Sequence, residues 1–348
     1  MDRMFVDVHV IQTIPPSCVN RDDTGSPKTC IYGGVRRARV SSQSWKHAVR
    51  EQFTEQFDAS ELGFRTKRVA EIIARHIKEM DPDAEDPDKK ATEVLDATGL
   101  TKGKKDNETA ALFFISDVQA KNLAELAISG TIDKKSAKKI LGDGTSMDIA
   151  LFGRMVADDA SLNTDACCQV AHAISTHAVS NEYDYFTAVD DMSKDNEPGA
   201  GMIGTIEYNS STLYRYATVA VHAFERSLEG NMDAAIRGTA GFIHAFITAM
   251  PTGKMNTFAN RTVPDSVMIC VRHDQPVNLS GAFEAPVKND GSGYSKKSSE
   301  RLFAYNEDVC STFLAKPAKV WCIGSIGSDQ ISLDGALSEL ETFMRGEL

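Results

Sequence analysis

The chain has 348 residues, 42% of them hydrophobic, and a formal net charge of −11. That length suits one large domain with insertions or two ordinary ones, and no run of about 18 apolar residues is present to span a membrane. Seven cysteines, an odd count with no Cys-x-x-Cys pair, argue against a zinc ribbon or a disulfide framework. The opening residues Met1 to Asp7 lack the basic-then-apolar layout of a signal peptide, so a cytoplasmic chain is expected.

Residues 5–11, Phe-Val-Asp-Val-His-Val-Ile, alternate and are rich in β-branched side chains, which predicts a strand. Residues 12–35 hold Pro15, Pro16, Pro27, Gly25, Gly33 and Gly34 and predict a long loop, with a short strand at 37–40 on its far side. Ser41 or Ser42 is placed to cap the next helix, whose buried stripe is Trp45, Val49, Phe53 and Phe57. Gln43, Lys46, His47 and Arg50 occupy its polar side. Helices are expected at 65–80, 108–128, 133–141 and 163–178, and a mobile excursion at 81–107. Residues 183–189 and 203–224 read as a long hairpin joined by the Gly-rich stretch Asp190–Gly201. A helix at 232–250, strands at 266–272 and 320–323, and a helix at 333–345 complete the chain. Without residues 54–178 the order is strand, helix, strand pair, helix, strand, the α+β ferredoxin-like plan of RNA-recognition domains.

The charge is polarised. Residues 17–50 hold Arg21, Lys28, Arg36, Arg37, Arg39, Lys46 and Arg50 against Asp22 and Asp23, in a chain that is acidic overall. The basic loop feeds a helix start, where backbone N–H groups and the helix dipole favour an anion. Glycines there permit close backbone approach, and arginine and lysine neutralise phosphate without reading bases. These residues predict a grip on the sugar-phosphate backbone of RNA.

The same block resembles the backbone (CasC-type) subunit of the type I-E CRISPR Cascade surveillance complex. The likeness rests on Ser17-Cys18 with Asn20-Arg21-Asp22-Asp23, Gly33-Gly34 with Arg36-Arg37, and Arg39-Val40-Ser41-Ser42-Gln43-Ser44. It returns at Asp148-Ile149-Ala150-Leu151 with Gly153-Arg154-Met155, at Ala171 to His177, at Phe186 to Asp191 and at Tyr214 to Ala217. Residues 54–145 and 275–348 match weakly.

The resemblance implies an RNA-recognition-type palm (1–53 and 213–348), helical fingers (54–178) and a β-hairpin thumb (179–212). It implies copies stacked head to tail along a CRISPR RNA, with other Cascade subunits and target DNA paired to the guide as further partners. By the same resemblance, RNA-backbone contacts fall on Arg21, Lys28, Ser41, Gln43 and Lys46. Met155 matches the residue that wedges against guide bases, and Phe186 and Thr187 match thumb residues near a displaced base. Val35 stands where relatives carry a lysine, so Arg36 or Arg37 is expected to replace that contact, and Arg50 extends the basic face.

No cofactor, metal or catalytic residue is assigned. The alternative is a metal-dependent ribonuclease of the type III kind, with Asp22 or Asp23 on the loop as the acid. His172 and His177 are read as structural rather than as metal ligands, and Lys104-Lys105 and Lys296-Lys297 as solvated pairs.

Overall fold

A computed structural model describes residues 3–105, 107–157, 159–188, 202–325 and 331–347. The chain begins with β1 (Phe5–Ser17), β2 (Thr29–Tyr32), β3 (Val35–Val40) and α1 (Ser42–Gln56). A mainly helical stretch follows: β4 (Gly63–Thr66), α2 (Val69–Met80), α3 (Pro87–Thr98), β5 (Phe113–Ser116), α4 (Asp117–Ser129), α5 (Lys134–Gly142) and α6 (Met147–Phe152). The chain then returns through β6 (Cys168–Val170), β7 (Ala173–Ser175), β8 (Glu182–Ala188) and β9 (Met202–Ala220). It ends with α7 (Val221–Ser227), α8 (Met232–Thr248), α9 (Met255–Phe258), β10 (Ser266–Arg272), α10 (Ser295–Thr312), β11 (Lys319–Gly324) and α11 (Leu333–Glu347). Among the described residues no helix is long and apolar enough to cross a membrane.

The main sheet is antiparallel, in the order β11-β10-β1-β9-β7-β3-β2, with β6 and β8 also paired to β9. In β1 the side-chain period of two divides the labour. Val6, Val8 and Val10 face α1, α8 and α11, packing with Val49, Phe53, Phe242, Phe246 and Leu340. Each buried valine contributes roughly 1.5–3 kcal/mol relative to exposure. Ile11 on the other face packs with Tyr214, Tyr216, Met268, Leu279 and Leu302 under α10. The helical stretch has a core of its own, built from Val69, Ile73, Ile77, Val94, Ile115, Leu123 and Leu141. The fold is thus mixed α/β, with a large antiparallel sheet.

Several elements differ from the sequence expectation. β1 runs through Pro15 and Pro16 to Ser17, with a register irregularity between Ile14 and Ser17 that accommodates them. Residues 163–178 are not a helix: Cys168–Val170 and Ala173–Ser175 pair with β9, and β7 also pairs with β3, so both strands belong to the main sheet rather than to a helical insertion. Residues 81–107 contain α3, which Asp86 caps at its start and Gly99 ends at φ +81°. The strand expected over 203–224 stops at Ala220, where α7 begins. The connection Asp190–Gly201 lies outside the described residues, apart from the flanking hairpin.

β9 has two halves. Residues 209–220 pair with β1 inside the sheet, whereas Met202–Tyr208 pair with Glu182–Ala188 as a hairpin arm. The arm is largely exposed and the sheet half is largely buried. At roughly 3.4 Å per residue, the arm's seven pairs extend about 20 Å.

Candidate nucleic-acid interface

The basic loop is fixed to the start of α1. Asn20 Oδ1 accepts the Ser41 backbone N–H at 2.9 Å. The Asn20 carbonyl accepts the Lys28 N–H at 2.8 Å, and the Lys28 carbonyl accepts the Arg39 N–H at 2.9 Å. Gly253 closes the loop from behind, since a Cβ there would lie 2.0 Å from the Val19 carbonyl oxygen. Ser41 occupies the N-cap position without a side-chain cap bond, and its hydroxyl-bearing side chain is mostly buried. His172 Nδ1 accepts the Ser42 N–H at 3.1 Å. Burial, followed by the charges of Arg39 and Lys28, holds the His172 pKa below its usual value, which suits an acceptor nitrogen.

α1 then separates two grooves. Arg21, Asp22, Asp23, Ser44, His47, Glu51 and Thr252 line the first, of about 480 Å³. The second, of about 630 Å³, lies between Gln43, Lys46, His47 and Arg50 on one wall and Arg65, Leu112 and Met155 on the other. His47 borders both. Lys28 and Arg39 line a small niche with Asn209 and Ser211, at the base of the hairpin arm.

Gly153-Arg154-Met155 divides its work by residue. Gly153 has φ +77°, and a Cβ would meet the Thr164 carbonyl at 2.9 Å. Arg154 is buried, donating to the carbonyls of Leu162 (3.0 Å), Phe114 (3.1 Å) and Leu141 (2.6 Å) and to Gln119 Oε1 (3.1 Å). Burial lowers its pKa to about 10. Met155 is the product of that scaffold: it is 84% exposed, so it is no core-filling methionine.

Arg50 is only partly available. Its guanidinium lies 3.4 Å from Asp148 Oδ2 and 4.3 Å from the Phe114 ring centroid. Asp148 in turn accepts from Gly63 N–H at 2.9 Å and Ser146 Oγ at 2.7 Å, while burial pushes its pKa up.

Arg37 departs from the expectation. It is fully buried and donates to the carbonyls of Tyr32 (3.1 Å), Ser175 (3.0 Å), Phe283 (2.8 Å) and Glu284 (3.2 Å). It staples the sheet to the segment beyond it, with every guanidinium nitrogen donating to a protein carbonyl. Arg36, its neighbour, is exposed. Gly33 and Gly34 form the two-residue β2–β3 turn at φ +57° and +75°. The close approach at Gly33 is to protein: a Cβ would fall 1.7 Å from the Glu284 carbonyl oxygen.

Phe186 and Thr187 lie on the arm, apart from both grooves. The Phe186 ring packs over Gly204, its cross-strand partner, and Thr187 is exposed. Tyr183, Tyr185 and Ile203 are 69%, 64% and 61% exposed, on the face opposite Phe186, which Thr187 shares.

Asp22 Oδ1 accepts from Thr24 N–H (3.0 Å), Thr24 Oγ1 (2.7 Å) and Ser26 N–H (3.0 Å), bonds that lower its pKa and shape the loop. Asp23 is exposed. His177 accepts the Thr212 N–H at 3.1 Å and stacks on Tyr294 at 3.6 Å, a structural role. Among the described residues no three His, Cys, Asp or Glu side chains gather to hold a metal ion. Arg65, Leu112 and Thr252 were not found by sequence reasoning. Only the Pro251-Thr252-Gly253 turn carried a local signal for any of them.

The family model described as CT1975-like protein matches residues 6–342. The chain belongs to the CT1975-like protein family. This CT1975-like chain is also similar to a chain of a solved structure titled a CRISPR RNA-guided surveillance complex, pre-nicking. The two are 30% identical, with 99% of this chain and 100% of that one covered and a TM-score of 0.85. A second similar chain, from a structure titled a CRISPR RNA-guided surveillance complex, is 28% identical over 99% of this chain and 100% of that one, with a TM-score of 0.65. No curated protein matches the chain. The resemblance to a Cascade backbone-type subunit is borne out.

Proposed function

We propose that this chain is a non-catalytic, CRISPR RNA-binding backbone subunit of a type I-E Cascade complex, acting in the cytoplasm. Copies assemble head to tail along the guide, beside other Cascade subunits, and hold it for pairing with target DNA. Base pairing then supplies sequence specificity, while the protein supplies shape and charge.

The observation that carries this reading is Met155. An apolar side chain left 84% exposed, on a turn fixed by Gly153 and the buried Arg154, at the rim of a groove that Lys46 also lines, suits a wedge against bases whose phosphates are held alongside. The exposed Arg21 and the half-buried Lys28 and Lys46 supply the phosphate contacts, with Gln43 and Ser41 at the helix start and Arg36 beyond. Phe186 and Thr187 act from the arm, as a thumb closing over the strand.

The domain reading follows the same lines: a palm from residues 1–53 and 213–348, fingers within 54–178 and a thumb at 179–212. The order β10-β1-β9, with α1 and α8 together on one face, supports a ferredoxin-like palm.

Mass measurement of the purified chain on RNAs of increasing length tests the assembly. Stepwise addition of copies with length is expected, and one copy per RNA at every length overturns the backbone model. Incubation with labelled RNA and magnesium tests the absence of catalysis. Cleavage that Asp22→Ala or Asp23→Ala abolishes would establish a ribonuclease instead.

A further inference from the structure

The groove that holds Met155 continues across β4–β5 into a second depression of about 580 Å³. Arg50 and Arg65 line both, and Arg68 and Arg75 line the second alone. Three of these four arginines have carboxylate partners. Arg50 pairs with Asp148 at 3.4 Å, Arg68 pairs with Glu71, and Arg75 lies 3.6 Å from Asp117 and 3.8 Å from Glu79. Among the described residues, no carboxylate pairs with Arg65. Its side chain is exposed, and its β4 backbone is fixed opposite Phe114 of β5. Phe114 is itself buried beneath the Arg50 guanidinium.

We propose that Arg65 is a nucleic-acid contact, binding a phosphodiester from the wall opposite Lys46. The proposal rests on the function proposed above and adds a residue to it. A paired arginine at a surface is already neutralised, so an incoming phosphate must compete with its partner carboxylate. An exposed, unpaired guanidinium has no such competitor and offers a two-pronged donor set that fits phosphate. Arg50 then acts as a positioning residue, held by Asp148 and stacked on Phe114, and keeps β5 and its partner β4 in place. The strand is gripped by the sheet domain and the helical stretch together. Their spacing therefore sets where Met155 meets the bases. The phosphodiester can belong to the guide RNA or to a DNA strand paired with it.

The test compares the full chain with Arg65→Ala, Arg65→Lys, Lys46→Ala and Arg68→Ala. Binding is measured across a salt series, to single-stranded RNA and to the same RNA paired with complementary DNA. Thermal melting checks each fold. Arg65→Ala is expected to weaken binding several-fold and to lower the log–log salt slope by about 0.7, the loss of one single-strand phosphate contact. Arg65→Lys should restore most of the slope, and Arg68→Ala should leave it unchanged. Loss on RNA alone assigns the contact to the guide, and loss only on the hybrid assigns it to the paired DNA. Parent-like binding by Arg65→Ala to both ligands, with Lys46→Ala weakened, overturns the role of Arg65 and leaves the phosphate grip intact. Parent-like binding by both variants overturns the grip itself.

Discussion

Asn20 Oδ1 accepts the backbone N–H of Ser41 at 2.9 Å, joining the middle of the basic loop to the cap of α1. The bond carries no net charge, yet it sets where Arg21 and Lys28 stand relative to Lys46. Loop and helix therefore present one surface.

Asn20→Ala should consequently separate position from charge. The mostly buried Ser41 loses a hydrogen-bond partner for its N–H, at a cost of about 1–2 kcal/mol in urea unfolding. RNA affinity should fall, because the loop cations shift. The salt slope should stay near that of the parent, because the cations remain. A slope that drops as it does for a lysine substitution would contradict this division.

Adjacent arginines should behave oppositely. Arg37→Ala strands four backbone carbonyls and should cost at least about 3 kcal/mol. Arg36→Ala should change stability by no more than about 0.5 kcal/mol, as for an ordinary surface site. Paired denaturation curves settle the matter, and equal losses would remove the staple assigned to Arg37.

The Gly153-Arg154-Met155 turn yields another contrast. Met155→Ala removes an exposed side chain and should leave stability within about 0.5 kcal/mol. It should alter the chemical reactivity of regularly spaced guide bases more than it alters affinity. Gly153→Ala places a Cβ against the Thr164 carbonyl at positive φ and should destabilise by more than about 1 kcal/mol. A base-reactivity footprint identical between parent and Met155→Ala would count against the wedge.

Two buried groups on β1 should oppose each other on acidification. Burial, aided by the charge of Arg272, depresses the His9 pKa to about 3, while burial outweighs the hydrogen bonds from Val277, Thr218 and Tyr216 and the weaker Arg272 attraction and raises Asp7 to about 6. Between about 6.5 and 3 the unfolded chain binds the His9 proton and the folded chain does not, so this group's contribution is lost as pH falls. Between about 4 and 6 the folded chain keeps the Asp7 proton that the unfolded chain has released, so that contribution is lost as pH rises. The two slopes, each at most about 1.4 kcal/mol per pH unit, offset one another between pH 4 and 6. His9→Gln should unmask Asp7 and gain stability relative to the parent on acidification from pH 6 to 4. Parallel urea midpoints for the two proteins over that range would rule out a titrating His9.

Local pattern revealed the elements whose burial is apolar and periodic. Ser266–Arg272 is legible to its ends because every residue in it is buried and most are apolar. The α1 stripe was legible because Trp45, Val49 and Phe53 all face the core. α10 is hidden from apolar periodicity because the residues it buries are Ser298, Ser299, Leu302 and Asn306, a helical rhythm written mostly in polar side chains. Residues 163–178 misled in the opposite sense. Ala166, Val170, Ala171 and Ile174 fit a helical face, but β6 and β7 take their shape from pairing with β9, about 40 to 50 residues away. At the site, the loop cations and Met155 were readable as types in a recognisable order. The burial of Arg37 and, among the described residues, the lack of a carboxylate partner for Arg65 depend on chain segments far away in sequence, and no local window contains them.

Because β9 runs without interruption from the sheet into the arm, its length can evolve at one end alone. Adding or removing two residues on each strand of the arm would preserve which side every remaining residue faces, while Asn209 to Ala220 stay locked to β1. A change of one residue would turn the outer part over, exchanging the side of Tyr183 and Tyr185 for that of Phe186. Reach is therefore adjustable in quanta of about 7 Å, a ruler whose divisions are set by the pleat of the strand.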